Sequence, residues 1–219
     1  MVGGIVYIGS DDGHLYPFKA AGCGAANCPP LWRGSIGGGP VLQSTPTVSN
    51  GTVYIGSQHV LAAFRAAGCG AAMCAPLWTG TFQNEFLGGS PAVFNGLVYI
   101  GLEDGLGVFS AAGCGQPTCG PRRLDTAPGA QAVVDSSPTV ARGLVYAGRN
   151  TGEILARPAG PCGTFQCTNV FRGATGDPLV SSLPTVVNGK IYIGGADIFA
   201  QGRLFVFDLA GKVAQPRRR

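Results

Sequence analysis

Thr45-Pro46-Thr47-Val48-Ser49-Asn50-Gly51-Thr52-Val53-Tyr54-Ile55-Gly56-Ser57 decides the fold. Two short runs of β-branched and aromatic residues flank Asn50-Gly51, and Asn-Gly is the strongest two-residue hairpin signal. The stretch therefore reads as an antiparallel hairpin entered through a proline. It also recurs. Val6-Tyr7-Ile8-Gly9-Ser10, Val98-Tyr99-Ile100-Gly101, Val145-Tyr146-Ala147-Gly148 and Ile191-Tyr192-Ile193-Gly194 repeat its second half, with tyrosine spacings of 47, 45, 47 and 46 residues. Cys23, Cys69, Cys114 and Cys162 follow the same period, at 46, 45 and 48, and Trp32 and Trp78 stand 46 apart. Three markers on one period define a tandem repeat.

Each unit reads as four short strands. The first follows a Ser-Pro or Thr-Pro entry (Thr47-Val48, Ala92-Val93, Thr139-Val140), or Leu183-Pro184 before Thr185-Val186, and the second is the Val-Tyr-Ile segment. The third ends in an aromatic, as in Leu15-Tyr16-Pro17-Phe18 or Leu204-Phe205-Val206-Phe207. The fourth carries Leu31-Trp32 or Leu77-Trp78. Asn50-Gly51, Asn95-Gly96, Arg142-Gly143 and Asn188-Gly189 join strands one and two. Asp12-Gly13 and Asp104-Gly105 join strands two and three. No segment keeps a helical period for ten residues.

Composition agrees. The 219 residues include 37 glycines and 16 prolines, too many breakers for a helical protein. Charged residues are 12%, about half the usual share, and hydrophobic residues 45%, which excludes disorder. No apolar run approaches the ~18 residues of a membrane span. The net charge is +4, and three of the basic residues are Arg217, Arg218 and Arg219, so the remainder carries +1. No basic stripe is interleaved with aromatics, and a nucleic-acid partner is not expected. The reading is an all-β chain of four-stranded antiparallel blades of ~46 residues. The units are 1–43, 44–89, 90–135, 136–181 and 182–214, with a basic tail at 215–219.

The pattern Ser-Pro-Thr-Val-x-Asn-Gly-x-Val-Tyr-Ile-Gly-Ser resembles the repeat of pyrroloquinoline-quinone-like (quinoprotein-type) β-propellers. That family includes quinone-dependent dehydrogenases, an outer-membrane barrel-assembly lipoprotein and sensor domains of bacterial kinases. Its members usually have seven or eight blades, so the resemblance implies that these five units are an incomplete arc. The open blade edges of such an arc favour self-association. The family's Asp-x-x-Thr-Gly turn between strands three and four is replaced by Ala-Ala-Gly-Cys-Gly-Ala-Ala-x-Cys at residues 20–28 and 66–74.

The eight cysteines pair by spacing: Cys23/Cys28, Cys69/Cys74, Cys114/Cys119 and Cys162/Cys167, one pair in each loop between strands three and four. A local disulfide, a metal site and free thiols compete. Zinc needs four ligands at about 2.3 Å, and pairs on different blades do not converge. Disulfides are the favoured reading and imply an extracytoplasmic, oxidising compartment, hence a signal peptide upstream of this chain.

Candidate chemistry gathers on one face. In an up-and-down blade the loops between strands two and three share a face with the crossovers between blades. That face is the expected ligand mouth, with Asp11, Asp12, Glu103, Asp104 and Asp197 from its turns and Glu85 and Asp135 from its crossovers. Gln83, Asn84, Ser136, Ser181 and Ser182 join them. Asp-Gly is also plain turn chemistry. His14 and His59 lie on the same face as turn residues, and the repeated tyrosines and tryptophans read as packing between blades. No catalytic, cofactor-binding or metal-binding residue is assigned.

Two functions are carried forward. The favoured one is a non-catalytic exported scaffold presenting loops to a protein or polysaccharide partner. The alternative is part of a quinone-dependent alcohol or sugar dehydrogenase, with pyrroloquinoline quinone and calcium as cofactors. The resemblance implies a vicinal Cys-Cys pair for that enzyme, which this sequence lacks.

Overall fold

The computed structural model describes residues 1–37, 39–41, 44–81, 87–102, 105–126, 136–162, 167–176, 182–196, 201–209 and 213–214. Among them there are strands and turns and no helix.

The strands form five sheets in chain order, here blades 1 to 5. Blade 1 consists of Ile5–Ser10, His14–Lys19 and Arg33–Ser35. Blade 2 is Thr47–Ser49, Thr52–Gly56, Val60–Arg65 and Trp78–Thr81. Blade 3 is Leu87–Phe94, Leu97–Leu102, Gly105–Ser110 and Arg123–Thr126. Blade 4 is Thr139–Ala141, Leu144–Gly148, Glu153–Pro158 and Phe171–Ala174. Blade 5 is Thr185–Val187, Lys190–Ala196, Gly202–Asp208 and Val213–Ala214. Consecutive strands within each blade pair antiparallel.

The turn chemistry explains the registers. Asn50, Asn95, Arg142 and Asn188 all adopt left-handed φ near +50°, each followed by a glycine that does the same. A type I′ hairpin requires φ > 0 at both central residues, so the Asn-Gly dipeptides fix which residues face each other. Arg142 takes the strained position without an asparagine side chain.

The fourth strands start later than the sequence suggests. Leu31 and Leu77 lie just before the fourth strand, each donating its backbone N–H to the third, to Pro17 O and Ala63 O at 2.8 and 2.7 Å. They remain partly exposed, while Trp32 and Trp78 turn inward.

Among the described residues there are 21 strands, two of them not foreseen from the repeat. The two unforeseen strands come from the cysteine loops. Met73–Cys74 of unit 2 pairs in parallel with Arg33–Ser35 of blade 1, and Thr118–Cys119 of unit 3 pairs in parallel with Trp78–Thr81 of blade 2. Each loop thus covers the outer edge of the preceding blade, where unpaired N–H and C=O groups invite aggregation.

The core lies between blades. One apolar cluster joins Tyr7, Leu15 and Trp32 of unit 1 to Ile55 and Phe64 of blade 2. A second joins blades 2 and 3, a third blades 3 and 4, and a fourth blades 4 and 5. Among the described residues no cluster joins blade 5 to blade 1.

Candidate functional site

On the face carrying the turns between strands two and three, the structure describes the first of those turns and the crossover beside it. Asp11, Asp12, Gly13 and His14 meet Ser35 at the end of the fourth strand and Gly37, Gly39 and Pro40 of the crossover after it around a shallow cavity of about 280 Å³. Asp12 accepts from the His14 backbone N–H at 3.1 Å and from the Tyr16 hydroxyl at 2.6 Å. The Tyr16 bond holds the Asp12 carboxyl below its ordinary value, and the same bond pushes the Tyr16 hydroxyl up. His14 Nδ1 lies 3.0 Å from the Asp12 carbonyl oxygen. Asp12 therefore serves its own turn. The other mouth acids of the sequence reading, Glu85, Glu103, Asp104, Asp135 and Asp197, lie outside the described residues, as do Gln83, Asn84 and Ser181. Among the described residues no three metal-ligating side chains cluster.

Sequence reasoning missed a hydroxyl chain on the crossovers. Ser90 Oγ accepts from Thr45 N at 2.8 Å, and Ser137 Oγ accepts from Ser90 N at 2.7 Å, linking blades 2, 3 and 4. Ser44 and the mouth candidates Ser136 and Ser182 instead pin the second strands of their own blades 2, 4 and 5 through Gly56, Gly148 and Gly194. The signal was the residue pair preceding each entry proline.

Also missed was an ion cluster at the second turn of blade 4. Glu153 is bonded by Arg149 at 2.9 Å and by Arg172. One Arg149 guanidinium nitrogen and Asn150 Oδ1 are buried without a hydrogen-bond partner among the described residues.

The repeated aromatics work between blades. The Tyr7 hydroxyl donates to Ala66 O at 2.9 Å, Tyr54 to Ala111 O at 3.0 Å, and Tyr99 to Ala159 O, each reaching one blade forward. Burial pushes the hydroxyls of Tyr7, Tyr54 and Tyr146 upward. The ladder stops at blade 4, where Tyr146 Oη has no partner among the described residues.

The opposite face carries the cysteine loops. Disulfides join Cys23–Cys28, Cys69–Cys74, Cys114–Cys119 and Cys162–Cys167. The residue before the first cysteine matters. Gly68 and Gly113 have φ near +80°, and a Cβ there would lie 2.6 Å from Trp32 and 2.7 Å from Trp78. Each tryptophan thus packs on the bare backbone of the next blade's loop.

The junction of blades 3 and 4 departs from this plan. Arg123 occupies the tryptophan position, and Pro161 stands where Gly68 and Gly113 do. The Arg123 guanidinium donates to Gly160 O at 2.8 Å and Pro158 O at 3.3 Å. Arg157 occupies the position of Phe64 and Phe109 and donates to Asn169 Oδ1 at 2.7 Å. Arg123, Arg149 and Arg157, the buried arginines among the described residues, all belong to these two blades.

No family model and no curated protein sequence matches the chain. Solved structures do. BamB from Moraxella catarrhalis superposes with a TM-score of 0.70 at 15% identity, over 98% of this chain and 58% of that one. The fold is that of a β-propeller. The computationally designed Ika8 protein gives 0.69 at 13% identity, over 95% of this chain and 57% of that one. A quinohemoprotein alcohol dehydrogenase from Pseudomonas putida gives 0.61 at 17% identity, over 80% of this chain and 34% of that one. The propeller described here therefore spans less than two thirds of the length of each. At these identities the likeness is one of fold.

Proposed function

We propose that the chain is a non-catalytic, exported propeller module of the quinoprotein-like repeat type that presents its surface to a protein partner. One observation carries this reading: the versatile side chains of the repeat are spent on joining blades. The tyrosine hydroxyls of blades 1 to 3 bind the next blade, the tryptophans pack on its loop or its aromatics, and the cysteines are all bonded. Burial of the repeat aromatics leaves them unable to stack on sugar rings, which favours a protein over a polysaccharide. Four disulfides support an extracytoplasmic location.

The second reading, a quinone-dependent oxidoreductase, is favoured by the fold it shares with the quinohemoprotein dehydrogenase. Dye reduction separates the two. With pyrroloquinoline quinone, calcium and an alcohol added, the scaffold reading expects no turnover above the protein-free control. Turnover that disappears in Glu85→Gln would establish the enzyme instead.

A further inference from the structure

The outer edges of the blades are not treated alike. In blade 1, Arg33 N donates to Ala72 O at 2.8 Å, and Met73–Cys74 lies along the edge. In blade 2, Thr79 N donates to Pro117 O at 2.8 Å, and Thr118–Cys119 lies along the edge. Register with the third strand places Arg172 of blade 4 at the same position, since Ala62 faces Thr79 and Leu155 faces Arg172. Phe171–Ala174 is the last strand of its sheet, and the Arg172 backbone N–H has no partner among the described residues. Unit 5 has no cysteine loop, only Leu209, Ala210, Gly211 and Lys212 before its fourth strand.

We propose that the edge Phe171–Ala174 is a binding site for an extended segment of a partner protein, which adds in parallel as the cysteine loops do on blades 1 and 2. Backbone hydrogen bonds supply register and side-chain pockets supply choice in this mode of recognition. The two internal examples define the occupant. The residue beside Gly173 takes the place of Cys74 and Cys119, both buried in an apolar cluster that also holds the preceding blade's tryptophan, so it is small and apolar. The residue beside Arg172 takes the place of Met73 and Thr118, which stay exposed. An acidic side chain suits it, because the Arg172 side chain, although bonded to Glu153, is 69% exposed and has donors to spare. Val170, 57% exposed, offers apolar surface next to the edge.

This inference deepens the scaffold reading and rests on it, but its test is separate from dye reduction. The probe is a fluorescent, disulfide-closed peptide of residues 112–121, the chain's own edge-covering loop. Anisotropy should show saturable binding to the full chain, weakened at least tenfold by Arg172→Pro, which removes the edge donor. Val170→Asp, at an exposed position, should weaken it severalfold without altering the thermal transition. A peptide with Glu in place of Thr118 should bind more tightly. N-methylation of the peptide's Thr–Cys amide should abolish binding, which keeps the test valid if Arg172→Pro does not fold. Absence of saturable binding, or binding indifferent to Val170→Asp and to N-methylation, overturns the proposal. So does a concentration-dependent dimer dissolved by Val170→Asp, which would make a second copy the occupant. A failure here leaves the non-catalytic reading intact, and turnover in the dye assay leaves the edge site intact.

Discussion

The seam between blades 2 and 3 and the seam between blades 3 and 4 solve one packing problem in two ways. In the first, Trp78 lies on Gly113 and stacks against Phe109, and Gly80 makes room for the same Phe109 ring. In the second, Arg123 replaces the tryptophan, Pro161 the loop glycine, Arg157 the phenylalanine and Asp125 the strand glycine. Four positions change together. A tryptophan needs a loop without a Cβ, whereas a guanidinium reaches past a proline to the carbonyls of Pro158 and Gly160. The apolar seam gains from buried area and close approach. The polar seam gains from charge-assisted hydrogen bonds and sets the direction in which they point. A repeat protein is a chain of such nearest-neighbour terms, so one seam can change without altering the others.

Truncation probes the contrast most strongly. Trp78→Ala should cost about 3–5 kcal/mol, the usual range for a buried tryptophan. Arg123→Ala should cost about 1–3 kcal/mol, because it strips two carbonyls of a charged donor. Urea melts of both variants give the comparison, and equal losses would mean that the two seams do not differ in kind.

Transplanting the polar seam is the sharper test. Gly80→Asp and Phe109→Arg should each destabilise, the first because a Cβ would lie 2.6 Å from the Phe109 ring. The double variant should be more stable than the summed losses imply by at least about 1 kcal/mol, since adjacent residues couple. A double-mutant cycle with no coupling would show that the two exchanges are independent of each other.

The period, the hairpin turns and the forward-packing tyrosines were legible because they depend on local rules: alternation, φ > 0 at Asn-Gly, and one marker per unit. Strands Met73–Cys74 and Thr118–Cys119 were not. Each spans two residues, too short to show alternation, and the edge it joins belongs to another unit. Arg123 was legible in principle, since aligning the units puts it beneath Trp32 and Trp78. It escaped because tryptophan recurrence draws attention to where the marker is present. Of the proposed mouth acids the structure describes only two. Asp11 and Asp12 fall there, but Asp12 is committed to Tyr16 and His14 by bonds that residue type does not reveal.

Opening one cysteine loop should have a smaller and displaced effect. Cys69→Ser with Cys74→Ser should cost about 2 kcal/mol, the loop entropy of a short closure. Amide exchange should accelerate at Arg33 on the neighbouring blade, whose N–H is bonded to Ala72 O of that loop. Protection unchanged at Arg33 would separate the disulfide from the edge strand.

Tyr54→Phe removes one bond between blades and should cost about 1 kcal/mol at neutral pH. Burial raises the folded-state pKa of Tyr7, Tyr54 and Tyr146, so the native state holds those protons more tightly than the unfolded chain. Stability from this source is complete below about pH 10 and is lost as pH rises through the raised values. Tyr54→Phe should remove part of that alkaline loss in melts followed above pH 10.

The backward reach of the cysteine loops of units 2 and 3 and the forward reach of the tyrosines also impose an order in time. Blade 1 acquires its edge strand and its Tyr7 acceptor only when unit 2 has emerged and folded, and blade 2 waits likewise on unit 3. A chain emerging from its amino end therefore always trails one unfinished blade, completed by roughly the next 46 residues. Thiol oxidation has to keep pace, because the loop that closes late is the loop that covers its neighbour. For this protein the rate of disulfide formation, more than final stability, sets how long an adhesive edge is bare.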